Sequence, residues 1–176
     1  KNISLTCPGS KVPTGPENLV YRAAEAFFSS TGKTPGIRIV LEKNIPVAAG
    51  LGGGSSDAAA TLHGLNRFLG ADLKLNQLLD IGLGLGADVP FFVHHYSSAL
   101  ATGIGECLQE IEPLSDSWIV LVNPGFPLST KWAYENFPLT SKSNQYIFAR
   151  VQNGSGRKTG PRIRRRPART VLTGSR

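Results

Sequence analysis

Residues 47–65 read VAAGLGGGSSDAAATLHGL, with five glycines between positions 50 and 64 and a helical pattern directly behind them. Glycine loses more backbone freedom on ordering than any other residue, so such a cluster serves a tight turn or a close backbone approach. A helix N-terminus presents unpaired N–H groups and a partial positive charge, both suited to phosphate. Two familiar phosphate loops are excluded. A Walker A loop ends in Gly-Lys-Ser/Thr, and no lysine stands between Lys43 and Lys74. A dinucleotide fingerprint begun at Gly50 needs glycine where Ser55 stands. What is left is Gly50, Gly52, Gly53 and Gly54, followed by the hydroxyls of Ser55 and Ser56. Four glycines in five positions exceed the needs of most turns and favour an anion cradle of amides and hydroxyls. A plain tight turn is the alternative.

Working outward, residues 17–31 (ENLVYRAAEAFFSST) place Leu19, Ala23, Ala26 and Phe27 on one helical face, with Asn18 as cap and Gly32 as stop. Residues 36–46 alternate Ile37, Ile39 and Leu41 with Arg38, Val40 and Glu42, which predicts a half-buried strand closed by Pro46. Behind the glycine loop a helix is predicted from about Ser56 to Phe68, with Leu62, Leu65 and Leu69 inward and Gly70 ending it. Residues 76–95 (NQLLDIGLGLGADVPFFVHH) begin as a helix, but Gly82, Gly84 and Gly86 argue against its continuing. Two short strands are predicted around Gly103-Ile104-Gly105. The run SWIVLVNPG (117–125) predicts a strand buried on both sides, and STKWAYENF (129–137) a helix capped by Ser129 or Thr130. The fold class is mixed α/β (α+β).

The 176 residues, 40% of them hydrophobic, suit one globular domain with part of a second. No apolar run is long enough for a membrane span, and the opening KNISLTCPGS lacks a signal-peptide core. Cys7 and Cys107 have no C-x-x-C partner, so neither a zinc site nor a disulfide framework is expected, and two unpaired thiols fit a reducing cytoplasm. The net charge of +7 is unevenly placed. Residues 1–149 hold 10 Lys/Arg against 12 Asp/Glu, whereas residues 150–176 hold 9 Lys/Arg and no acid. That basic end, with few apolar residues and no periodicity, is expected to be disordered alone. Its arginines suggest a nucleic-acid arm, but no aromatic interleaves them for base stacking, and an appended end without a role is the favoured reading.

The stretch from Pro46 to Ala59, P-x-x-x-G-L-G-G-G-S-S-D-A-A, resembles the nucleotide loop of the galactokinase–homoserine kinase–mevalonate kinase–phosphomevalonate kinase superfamily. The triple glycine before Ser-Ser is most similar to its 4-diphosphocytidyl-2-C-methylerythritol kinase family, from the non-mevalonate isoprenoid pathway. GADVPFFV (86–93), ATGIGECL (101–108) and VNPGFPLST (122–130) resemble that family's later motifs, in order. The resemblance covers about residues 2–149. It implies a ribosomal-protein-S5-domain-2-like nucleotide-binding domain over residues 1–122 with its first strands missing. Residues 123–149 would start a ferredoxin-like second domain, and 150–176 the basic tail. It implies ATP and Mg²⁺ as cofactors and a cytidine-diphosphate-linked polyol as substrate, phosphorylated on its 2-hydroxyl. Pro46, Gly50, Leu51, Gly52, Gly53, Gly54, Ser55 and Ser56 would hold ATP, and Asp88 would be the catalytic carboxylate that orients the attacking hydroxyl. Thr130 and Tyr134 would touch substrate, and no metal ligand is assigned. Read without the resemblance, Asp88 is a helix cap, and Asp57 a partner of the helix dipole. Adjacent His94 and His95 face different ways and lack metal spacing.

The family opens with Pro-x-Lys-Ile-Asn and a later Gly-Tyr-His, which carry a catalytic lysine and much of the cytidine pocket. Neither occurs here, and after QYIFAR (145–150) the resemblance stops. The chain therefore reads as the middle of a kinase, with a homodimer compatible with it. A different alcohol kinase of the superfamily is the nearest alternative, and a nucleic-acid module acting through the tail a more distant one.

Overall fold

The computed structural model describes residues 2–113, 118–122, 125, 129, 132, 135–136 and 170–174. Strand β1 (Ile3–Thr6) leads through helix α1 (Leu19–Thr31) into β2 (Ile37–Leu41), which pairs with β1 in parallel, Leu5 opposite Ile39. Strand β1 was not among the expected elements, although Ile3, Leu5 and Cys7 alternate with Ser4 and Thr6. Helices α2 (Gly53–Phe68), α3 (Leu75–Leu85) and α4 (Val89–His94) follow. Strands β3 (Ala99–Thr102) and β4 (Cys107–Glu110) form an antiparallel hairpin around the expected turn.

The core lies between the β1–β2 sheet and the helices. Ile37, Ile39 and Leu41 are buried, as their alternation predicts, against α1 and α2. On α1 the buried stripe is Val20, Ala23, Ala24, Phe27 and Phe28; Leu19 and Ala26, expected inward, are only half-buried. Asn18 caps α1 by accepting the Val20 amide at 2.9 Å, and Gly32 ends it in a left-handed conformation. Full burial of side chains such as Phe27, Ile39, Leu62 and Leu65 contributes about 1.5–3 kcal/mol each.

The glycines of 82–86 do not stop a helix where propensity alone would. Gly82 and Gly84 lie inside α3, and Gly86 ends it. A Cβ on Gly82 would meet Val89 Cγ1 at 3.1 Å and Val93 Cγ2 at 3.4 Å. The absent side chain thus lets α3 pack against α4, and that contact outweighs about 1 kcal/mol of lost helix propensity.

Two expectations are corrected. Residues 118–122, expected to be a strand buried on both faces, are irregular and 62–85% exposed. A strand exists only as part of a ladder, and among the described residues none pairs with this run. The basic end is not structureless throughout: Thr170–Gly174 forms β5, antiparallel to β2, with Leu172 opposite Ile39. The second edge of β2 offers unpaired backbone groups, and Thr-Val-Leu-Thr is a β-prone run that can pair with them. The rest of 150–176 lies outside the described residues.

A Cβ on Gly84 would meet nothing within 4 Å, whereas one on Gly82 would meet two valines. Gly84→Ala should therefore raise unfolding stability by about 0.5–1 kcal/mol, and Gly82→Leu should lower it by about 1–3 kcal/mol. Urea midpoints of the two variants check this pair of opposite signs.

Candidate active site

Strand β2 ends at Leu41, but its inward parity carries on to position 43, so Lys43 continues the face of Ile37, Ile39 and Leu41. The chain then turns through Pro46 into the glycine loop, where Ala48, Gly50 and Gly52 all have positive φ. Helix α2 starts at Gly53, three residues earlier than expected. Its N-cap, Gly52, has no side chain to satisfy the first amides, and the first helical bond runs from the Ser56 amide to the Gly52 carbonyl at 2.9 Å. The amides of Gly53, Gly54 and Ser55 therefore lack a helical acceptor.

Two glycines here are required sterically. Gly52 has φ +64°, and a Cβ on it would sit 2.6 Å from Phe92 Cζ of α4. A Cβ on Gly53 would lie 2.8 Å from Lys43 Nζ and 2.9 Å from Ile45 Cγ2. The bare backbone lets the start of α2 touch both the end of β2 and the face of α4.

Loop and helix start line a cavity of about 1050 Å³. Pro46, Gly50, Leu51, Gly52, Gly53, Gly54 and Ser55 are all on its wall, and so is Asp88. Ser56 is not. Its hydroxyl donates to the Gly53 carbonyl at 3.0 Å, a bond within the helix turn. The opposite walls come from α4, through Phe91 and Phe92, and from the β3–β4 turn, through Ile104 and Gly105. Thr130 and Tyr134 lie outside the described residues. A smaller hollow of about 400 Å³ beside Tyr21 and Lys33 holds none of the expected site residues.

Asp88 occupies the N-cap position of α4 but makes no capping hydrogen bond, and it is exposed. The helix-cap reading is thereby reduced to a position without its bond. Pro90 sits in the first turn of α4, where its missing N–H costs nothing. Among the described residues no group of three His, Cys, Asp or Glu is placed to hold a metal ion. Cys7 is a buried free thiol and Cys107 an exposed one.

Asp57 is not a dipole partner in the first turn. With α2 starting at Gly53 it falls beyond that turn, is buried, and pairs with Lys43 at 2.6 Å, their side chains 5% and 8% exposed. Burial lifts the Asp57 carboxyl above its usual range, while the Lys43 hydrogen bond and charge oppose the lift. Lys43 is a cavity-wall residue that was not among the candidates read from the sequence. The period-two pattern of β2, extended by one step past Leu41, could have found it.

His63 Nε2 donates to the Val93 carbonyl at 2.9 Å, and the His63 and His95 rings lie 4.6 Å apart. His94 instead stacks on Tyr96, with centroids 4.4 Å apart. The adjacent histidines thus face different partners.

The fold thus brings a glycine-rich helix start and an exposed carboxylate, Asp88, to the walls of one cavity. Residues 18–96 match the N-terminal domain of the GHMP kinase family (GHMP kinases N terminal domain). The chain is 55% identical over 140 residues to the 4-diphosphocytidyl-2-C-methyl-D-erythritol kinase of Syntrophotalea carbinolica, covering 80% of this chain and 50% of the relative. To the protein of that name from Geobacter metallireducens it is 51% identical over 142 residues, covering 81% and 50%. A crystal structure of 4-(cytidine 5'-diphospho)-2C-methyl-D-erythritol kinase superposes with a TM-score of 0.57 at 39% identity, covering 77% of this chain and 47% of that one. The chain spans about half the length of the curated relatives it matches. No helix among the described residues is long and apolar enough to cross a membrane.

Gly52→Ala is expected to lose about 1–3 kcal/mol of stability, because left-handed backbone and contact with Phe92 both resist a methyl group; thermal unfolding measures it. Burial and the neighbouring His63 hold His95 below its ordinary 6.5. Just below pH 6.5 the unfolded chain then binds more protons than the folded one, so stability falls on acidification through that window. Replacing His95 by Gln should flatten the fall, as read from urea titrations at pH 5.5 and 7.5.

Proposed function

We propose that this chain serves the ATP-dependent phosphorylation of 4-diphosphocytidyl-2-C-methyl-D-erythritol on its 2-hydroxyl, a step of non-mevalonate isoprenoid precursor synthesis. The observation that carries this reading is the glycine-rich start of α2, open on a cavity that also holds Asp88, in a chain about half identical to relatives bearing that kinase name. The unsatisfied amides of Gly53, Gly54 and Ser55 would take the nucleotide phosphates, with the Ser55 hydroxyl beside them. A cradle that a Cβ at Gly52 or Gly53 would block fits a ligand that needs backbone at close range.

Phosphoryl transfer requires placement of donor and acceptor and neutralisation of charge rather than covalent work by the protein. Asp88, exposed to the cavity and without a capping bond, is free to accept a hydrogen bond from the substrate hydroxyl and aim its oxygen at the γ-phosphorus. Asp88 is a cavity-wall carboxylate that could approach a Mg²⁺ carried by the nucleotide, which would neutralise phosphate charge when bound. Phe91, Phe92 and Ile104 give the cavity apolar walls that limit water. Substrate contacts at Thr130 and Tyr134 belong to the same proposal.

Asp88→Asn should keep the fold and nucleotide binding while lowering turnover by about 10²–10⁴. Radiolabel transfer from γ-labelled ATP to the cytidyl polyol, with circular dichroism as the control for folding, tests it. Undiminished turnover in the variant would rule the role out.

A further inference from the structure

The charged side chains on the cavity wall are Glu17, Lys43, Asp57 and Asp88. Among these described residues Lys43 is the one cation, against three carboxylates. Such a wall does not by itself suit a polyphosphate. Asp57 poses the sharpest conflict. It is buried in α2, and helical side chains lean toward the N-terminus, so its carboxylate lies behind the amides meant for the anion. Lys43 Nζ occupies the space between. It is bound to Asp57 Oδ2 at 2.6 Å and lies 2.8 Å from where a Gly53 Cβ would be.

We propose that Lys43 is a positioning residue of the glycine loop: its ammonium cancels the Asp57 carboxylate and ties the end of β2 to the start of α2, so that the bare amides can accept phosphate. Its charge is committed to Asp57, and the phosphate is bound by backbone. The proposal rests on the phosphate-cradle reading above, and deepens it by naming what makes that cradle electrically acceptable. The other charged groups on the same cavity wall are Glu17, ahead of α1, and Asp88, at the start of α4, both acidic. Neither replaces the lost cation when Lys43 is removed. A buried carboxylate deprived of its partner is protonated more readily, and becomes harmless to an anion only in that state.

The test uses the whole chain with Mg²⁺ and a β,γ-imido analogue of ATP, titrated calorimetrically between pH 5.5 and 8.5. Lys43→Met should weaken binding at least about tenfold at the alkaline end, with affinity recovering toward that of the wild type as pH falls. The double variant Lys43→Met/Asp57→Leu replaces the ion pair by apolar groups, a change that commonly preserves folding. It should bind like the wild type across the whole range. If the double variant folds and does not bind, Lys43 contacts the nucleotide directly and the proposal fails; it fails equally if Lys43→Met binds normally at every pH. A second measurement needs no ligand: hydrogen-exchange protection at the Ser56 amide, whose bond to Gly52 closes the loop. Protection should fall at least about tenfold in Lys43→Met at pH 8 and return in the double variant. Unchanged protection overturns the proposal even if the wild-type chain takes no nucleotide. Absent wild-type binding with the expected exchange pattern instead refutes the kinase reading and leaves the loop device standing.

Discussion

Much of this structure depends on a backbone contact that no side chain could make. At Gly52 and Gly53 the chain passes so close to Phe92, Ile45 and Lys43 that a single added carbon would sit within 3 Å of each neighbour. Because that carbon is absent, the first turn of α2 rests directly on the end of β2 and under α4. The cavity, the unsatisfied amides and the facing position of Asp88 all follow from this one approach. The cost is backbone entropy lost in ordering four glycines within five residues, offset by the packing of Ala58, Ala59, Leu62 and Leu65 in the same helix.

The same economy of side chains recurs on another flank of α4. Gly82 admits Val89 and Val93 against α3, so α4 is gripped between Gly82 on one flank and Gly52 on another. Six residues would be too few to hold a helix in water unaided. Held on two sides, with Pro90 in its first turn and the Val93 carbonyl bonded to His63, α4 becomes a firm platform for Asp88. The carboxylate is exposed, but the backbone that carries it is not loose.

A buried ion pair is costly to desolvate, and an apolar pair of like volume is often as stable. The Lys43–Asp57 pair is therefore better understood through its place beneath the loop than through any gain in stability. It joins a residue two positions beyond the end of β2 to the helix that the loop feeds, across 14 residues of sequence.

By itself the sequence determined the local elements and their chemistry. The alternation of Ile37, Ile39 and Leu41 marked β2; Asn18 and Gly32 bounded α1; and Gly103-Ile104-Gly105 marked the hairpin, since each signal acts within a few residues. The glycine loop was legible as candidate chemistry for the same reason, whereas the aspartate of GADVP reads locally as a helix cap and became a candidate through the family resemblance alone. Tertiary structure decided what depends on distant neighbours. Gly82 and Gly84 stand inside a helix because packing against Val89 and Val93 outweighs propensity. Asp57 meets Lys43 rather than the helix dipole because α2 begins three residues early, where Gly53 can lie against β2. Residues 118–122 have every local mark of a buried strand and remain exposed, because a strand is made by its partner and not by its own residues.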